Sequence, residues 1–174
     1  MSVRKWAAWP GLIGGTLLAC SAVAAAAGPP QAMVDAMQSN TTAFKEYMLN
    51  CGGCHRMDGR GIARQGVPSF IDSVGLFTRL PAGRDYLIRL PGSADSLLDD
   101  TELARVLNWV VATYSPQQLP ADFKPFTAAE VSAVRSHSYA DVVTVRQQLE
   151  QALARQGLTP APYLYGSNTA FSAD

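Results

Sequence analysis

Residues 41–59 read TTAFKEYMLNCGGCHRMDG and contain the stretch Cys51-Gly-Gly-Cys54-His55. Two cysteines at this spacing, followed at once by a histidine, are typical of covalent haem attachment. The two thiols add across the vinyl groups of haem, and the adjoining imidazole reaches the iron. The stretch therefore predicts one haem c held by Cys51 and Cys54, with its iron bound by His55.

Two other kinds of site use a pair of cysteines at this spacing. A thioredoxin-like redox site follows a strand in a βαβ pattern, whereas apolar residues over 41–50 recur at helical spacing and predict a helix running into Cys51. A zinc site needs two further ligands. Only His55, His137 or carboxylates could supply them, because no second cysteine pair follows.

The first 27 residues have the pattern of an export signal. Arg4 and Lys5 precede an apolar run at 11–19, and small residues follow. The run is too short to span a bilayer comfortably. In an alternative interpretation, Cys20 is the lipidation site of a lipoprotein signal. Both interpretations predict a periplasmic or otherwise extracytoplasmic protein, with membrane association only if Cys20 is lipidated.

Charge narrows the classes of partner. The chain of 174 residues carries 14 Lys plus Arg and 14 Asp plus Glu. Cleavage before Gly28 removes two basic residues and no acidic ones, leaving 12 against 14 and a net charge of −2. Two ionised haem propionates would bring the charge to about −4, which argues against nucleic acid and allows steering toward a basic protein surface.

Capping patterns predict the helices that follow the motif. Asp99-Asp-Thr-Glu102 matches a capping box and opens an amphipathic helix that ends near Pro116. Thr127-Ala-Ala-Glu130 opens a short helix. Another amphipathic helix covers 141–156, with Gly157 as its C-terminal cap.

Between these helices the pattern is irregular. Residues 28–40 are expected to form an N-terminal arm that ends in a helix start, and the glycines and prolines of 56–82 predict a long loop. Residues 84–90 are expected to form a short helix or an extended turn. No run alternates with period two, so the prediction is an all-α domain over 28–156, followed by a poorly ordered tail at 157–174.

Over about residues 40–115 the chain resembles the class I cytochrome c family. The resemblance rests on the first helix, the Cys51–His55 motif, the glycine loop at 59–61 and the later helix that carries Trp109. It implies a small cytochrome c-like helical domain wrapped around one covalent haem, to which the C-terminal helices are an addition.

The resemblance also implies roles for single residues. The carbonyl of Pro68 would accept the ring N–H of His55, which fixes the orientation of the imidazole and raises its basicity toward iron. Trp109 would contact Tyr47 or Phe44 and lock the core.

Three residues near 84–90 are candidates to bind the haem propionates. A guanidinium can pair with a carboxylate through two hydrogen bonds, which makes Arg84 and Arg89 candidates, together with Tyr86. Solvated loop arginines are the simpler alternative.

The sequence departs from the family in its second axial ligand. A class I cytochrome usually supplies a methionine from the loop before its last helix, but the last methionine here is Met57. Met57 follows His55 too closely to reach the opposite haem face, and Met48 precedes the motif, so both are interpreted as packing residues. His137 is the remaining candidate for the sixth ligand, with a surface histidine and a five-coordinate iron as alternatives. Without methionine we expect a low to moderate reduction potential.

These features predict an electron carrier rather than an enzyme. A periplasmic dehydrogenase would be the donor, and an oxidase or another cytochrome the acceptor. The alternative is a ligand-binding or sensor haem protein, or the haem subunit of an oxidoreductase, with an open position on the iron. A peroxidase would also need a distal general base, for which His137 is the sole histidine candidate.

Overall fold

The computed structural model of the protein describes residues 28–163, so the predicted signal segment with Cys20 lies outside the described residues. Helices account for all the regular structure there, apart from one isolated bridge between Ile62 and Val67. The all-α prediction is confirmed. None of the helices between 28 and 163 has the length and apolar character needed to cross a membrane. The α-helices are α1 Gln31–Gln38, α2 Thr41–Asn50, α3 Gly52–His55, α4 Val74–Phe77, α5 Pro81–Arg89, α6 Pro91–Ala94, α7 Asp100–Tyr114, α8 Ala128–Val134 and α9 Val142–Ala154.

Helix α7 is the centre of the fold. The side chain of Asp99 accepts from Glu102 N, and the side chain of Glu102 accepts from Asp99 N, both at 2.8 Å, which confirms the predicted capping box. Nine of its residues are buried, including Leu103, Val110 and Val111. Because apolar residues cover more than one stripe of the helix, α7 packs against α1, α2, α4 and α8 at once.

An aromatic cluster joins α2 to α7. The ring of Trp109 lies 5.0 Å from that of Tyr47 and 5.7 Å from that of Phe44, centroid to centroid. The indole Nε1 of Trp109 donates to the carbonyl of Gln38, at the end of α1, at 3.1 Å. Buried aromatic pairs add to area burial, so this cluster fixes the helix that leads into the cysteine motif.

The C-terminal helices begin where the sequence predicted, α8 at its predicted capping residue and α9 at the start of the predicted range 141–156. Thr127 accepts from Glu130 N and starts α8, and Asp141 accepts from Thr144 N and starts α9. Gly157 follows α9 with φ +73°, a conformation that favours glycine.

The chain beyond α9 returns to the core. Pro160 is buried, and the amide of Ala161 donates to Ser73 Oγ at 2.8 Å. Residues 160 and 161 of the expected tail therefore contact the domain, and 164–174 lie outside the described residues.

Two prolines start helices, the first of them within the segment that was expected to be a loop. The segment 56–82, expected to be a loop, contains α4 and the first residues of α5. Pro81 and Pro91 occupy the first turns of α5 and α6. Proline is tolerated at this position because the first N–H groups of a helix have no partner within it.

Candidate haem site

The cysteine motif forms a single helical turn directly after α2. Cys51 ends α2, and its carbonyl accepts from Cys54 N at 3.2 Å and from His55 N at 2.9 Å. Cys51 is half-buried and Cys54 is exposed, and both are free thiols. The tight turn brings the two sulfur atoms and the imidazole to one face.

That face opens into a cavity of about 600 Å³. Cofactor pockets commonly measure about 300–1,000 Å³ and are mainly apolar, so the size and character of the cavity suit a large, flat, apolar group. Cys51, Cys54, His55 and Pro68 all line it. Most of its remaining wall consists of apolar side chains, among them Val74, Phe77, Leu87, Leu90, Leu98, Leu103, Val106, Leu107 and Val110.

His55 is held as a neutral imidazole. Burial lowers its pKa from 6.5 to about 4, and the Pro68 carbonyl acts in the opposite direction. Its ring stacks on Phe70, with centroids 3.8 Å apart and planes at 13°. A neutral imidazole is the form that binds a metal, so burial prepares this side chain for coordination.

The Nδ1 atom of His55 is a buried polar atom without a hydrogen bond of standard geometry. Unpaired buried polar atoms are rare and call for a physical explanation. The Pro68 carbonyl is the backbone acceptor that acts on this ring, which fits an imidazole whose Nδ1 faces Pro68 and whose Nε2 is left for iron.

Burial also sets the protonation state of Cys51. It raises the pKa of Cys51 to about 11, with a smaller contribution from Cys54. At neutral pH Cys51 is therefore a thiol rather than a thiolate, in a wall that can accept an apolar partner.

Two phenols fix the loop that follows the motif. Tyr47 donates to the carbonyl of Arg56 at 2.6 Å, and Tyr114 donates to the carbonyl of Met57 at 2.8 Å. The backbone of Arg56 has φ 63°, a left-handed value that costs a non-glycine residue free energy. The two hydrogen bonds offset this cost and hold the loop beside His55.

Of the three candidate propionate ligands, only Tyr86 lines the cavity, and it is 2% exposed. Arg84 instead pairs with Glu130 through Nε and Nη2, at 2.6 and 2.7 Å. Arg89 donates to the carbonyl of His137 at 2.5 Å and lies over the ring of Tyr139. In this conformation both arginines are engaged away from the cavity.

The two other predicted residues lie outside the cavity lining. Trp109 packs against Phe44 and Tyr47 of α2, the helix that leads into the cysteine motif. His137 is exposed, and its Nδ1 lies 2.9 Å from Ser136 Oγ. Tyr139, two residues further on, does line the cavity.

Phe70 and Arg146 are the polar or aromatic contacts of the site that matter most among the lining residues missed by the sequence analysis. Phe70 has no motif around it, and only its stacking on His55 reveals it. Arg146 lies within the predicted helix 141–156 and gives no local signal of burial, although it is 4% exposed. Between 28 and 163, no group of three or more His, Cys, Asp or Glu side chains is placed to hold a metal ion by itself.

No family model matches the chain. The chain is similar to two curated relatives, both called cytochrome c-552 and both from Thermus thermophilus, the second from a named strain. Each is 32% identical in an alignment of 104 residues, and the match covers 49% of this chain. The similarity covers 79% of the first relative and 70% of the second.

Proposed function

The chain belongs to the cytochrome c family, and from that premise we propose that it is an electron-transfer protein with one covalently attached haem. The observation that carries the proposal is that Cys51, Cys54 and His55 line one apolar cavity of suitable size. When bound, haem iron supplies a one-electron couple. The chain itself attaches the group, supplies an axial ligand and excludes water.

Each residue of the motif has a defined task in this proposal. The thiols of Cys51 and Cys54 add across vinyl double bonds, so that a carbon–sulfur bond forms and the thiol hydrogen moves to the neighbouring carbon. No group leaves and nothing is oxidised overall. His55 would bind the iron, and the Pro68 carbonyl would orient its ring.

The apolar wall supports electron transfer rather than substrate chemistry. A rigid, closely packed shell keeps the geometry around a metal similar in both oxidation states, and a low dielectric tunes its potential. The partners we propose are a periplasmic dehydrogenase as donor and an oxidase or another cytochrome as acceptor. The export pattern of residues 1–27 supports a periplasmic location.

Mass spectrometry tests the proposal. The full chain, produced in cells competent for cytochrome c maturation, is expected to carry the added mass of one haem after denaturation. Changing Cys51 and Cys54 together to Ala is expected to abolish that addition. A colourless wild-type protein with the mass of the bare polypeptide would refute the assignment.

A second candidate function is the binding of a small external ligand to the iron. The composition of the cavity wall supports it. Among the described residues that line the cavity, His55 is the only histidine and there is no methionine, so none of them offers a second ligand of the usual kind for the iron. The sixth ligand proposed from the sequence, His137, would have to turn inward from its exposed position.

Carbon monoxide distinguishes these functions. A closed carrier, with His137 bound to iron, is expected to leave the spectrum of the reduced protein unchanged on adding the gas. His137→Ala should then lack the low-spin bis-histidine signal before the gas is added, and should bind carbon monoxide. Rapid binding by the wild-type protein, unaltered in His137→Ala, would favour the ligand-binding function and exclude His137 as a ligand.

A further inference from the structure

The cavity wall contains a buried cation. Arg146, on the inner side of α9, is 4% exposed and lines the same cavity as Cys51, Cys54 and His55. It is the one lysine or arginine among the described residues that line this cavity. A guanidinium in such a place carries a large desolvation penalty, which only pairing and hydrogen bonds can offset.

Several contacts hold the guanidinium in place. Its Nε donates to Glu150 Oε1 at 2.7 Å and its Nη2 to the carbonyl of Ala161 at 2.5 Å. Its Cζ lies 4.9 Å from the ring centroid of Phe77. A guanidinium has five N–H donors, so these two bonds do not exhaust it.

Tyr86 lies beside this guanidinium. Both side chains pack against Phe77, whose ring centroid is 5.3 Å from that of Tyr86 and 4.9 Å from Arg146 Cζ. Burial raises the pKa of Tyr86, and the charge of Arg146 opposes the increase. The cavity wall therefore presents a fixed cation and a hydroxyl group side by side, a pair suited to a carboxylate.

We propose that Arg146 binds a propionate of the haem, with Tyr86 beside it. The inference rests on the proposed function, because the propionates are the acidic groups of the cofactor. It makes α9, which lies beyond the stretch that resembles the family, a part of the cofactor site. The two arginines nominated from the sequence are paired with Glu130 and with the carbonyl of His137, which leaves Arg146 as the cation that faces the cavity.

The reduction potential of the holoprotein tests the inference. In Arg146→Gln a propionate keeps an uncompensated negative charge near the iron, which favours the ferric state. We expect the one-electron equilibrium to shift up to tenfold toward oxidation, a fall of up to about 59 mV. The propionate bending modes of the resonance Raman spectrum should shift as well, and Arg146→Lys should recover part of both effects.

Arg155→Gln is the matched control. Arg155 ends the same helix but is exposed, so its replacement should change neither the potential nor the propionate modes. If Arg146→Gln also leaves both unchanged, Arg146 does not bind a propionate.

Glu150→Gln distinguishes an effect of the charge of Arg146 from an effect of a disrupted cavity. It keeps the guanidinium and removes an anion beside it, so we expect the potential to rise, whereas an opened, hydrated cavity would lower it in either variant. A fall of the potential in Glu150→Gln would overturn the inference. All these proteins are first shown by mass to carry haem, so that a failure of attachment counts against the proposed function instead.

Discussion

Gly61 sets the position of the carbonyl group that acts on His55. Its φ of +67° is in the left-handed region, and a Cβ atom added there would lie 2.4 Å from the oxygen of Val67 and 2.6 Å from that of Pro68. These are backbone atoms, which cannot rotate away as a flexible side chain can. The absence of a side chain at Gly61 is therefore what lets the loop close over the imidazole.

We predict that Gly61→Ala lowers the free energy of unfolding of the holoprotein by at least about 2 kcal/mol, from left-handed backbone strain and the displaced carbonyl. Urea denaturation measures this. Gly53→Ala is the matched control, because a Cβ at Gly53 meets nothing within 4 Å. Equal stability of the two variants would mean that Gly61 does not position Pro68.

The sequence brought Cys51, Cys54 and His55 together and also nominated Pro68 and Tyr86, which line the cavity, whereas Phe70 and Arg146 gave no local signal. Cys51, Cys54 and His55 are adjacent in the chain, so their spacing alone brings them together. The pairing of Arg84 with Glu130 spans 46 positions, and no local pattern indicates it. Arg146 was overlooked for the same reason, since burial of a helical arginine depends on what packs over it.

At the scale of elements, the helix caps were the most predictable features. A capping side chain and the amide it accepts from lie within three residues, so the sequence alone contains both partners. This explains why α7 and α8 start at the predicted capping residues, and why α9 starts where its helix was predicted to begin.

We predict that Asp99→Ala lowers the free energy of unfolding by about 1 kcal/mol, the usual cost of losing an N-terminal cap. The loss should appear in the urea midpoint with an unchanged slope, because α7 still forms. Asp122→Ala, an exposed aspartate outside the helices, should be neutral. An Asp99→Ala variant as stable as Asp122→Ala would show that the capping box contributes little.

The short helices could not be predicted, for a physical reason. Helix α4 has four residues, all of them buried, and one helical turn has too few hydrogen bonds to form by itself. It exists because Val74 to Phe77 fill the core between α7 and α9. A short stretch of sequence shows the apolar residues, but it does not show the helices against which they pack.

At the scale of the whole molecule, the C-terminal extension forms part of the cavity wall, through Val142, Val143 and Arg146. Helix α9 and residues 158–163 return to the start of α4, where Arg146 and Ser73 both bind Ala161. The partners Ser73 and Ala161 are 88 positions apart. A contact between residues so far apart depends on the path of the chain and not on a local periodicity. The sequence analysis therefore could not predict it.

The contact between Ser73 and Ala161 can be removed by replacing one hydroxyl group. Ser73 is 2% exposed and its Oγ accepts from Ala161 N at 2.8 Å. In Ser73→Ala the amide loses its acceptor while the shape of the site is nearly kept, so we predict a loss of about 1–2 kcal/mol in the free energy of unfolding. Amide hydrogen exchange at Ala161 should accelerate more than exchange within α7, because the segment can open without global unfolding.

Ser132→Ala provides the comparison, since Ser132 is an exposed serine of α8. It removes the same hydroxyl group from a surface position, and neither stability nor exchange at Ala161 should change. If Ser73→Ala behaves like Ser132→Ala in both measurements, the return of the chain to Ser73 does not stabilise the cavity. If exchange at Ala161 alone accelerates, residues 158–163 unfold locally, and the helical core keeps its stability without their contact with Ser73.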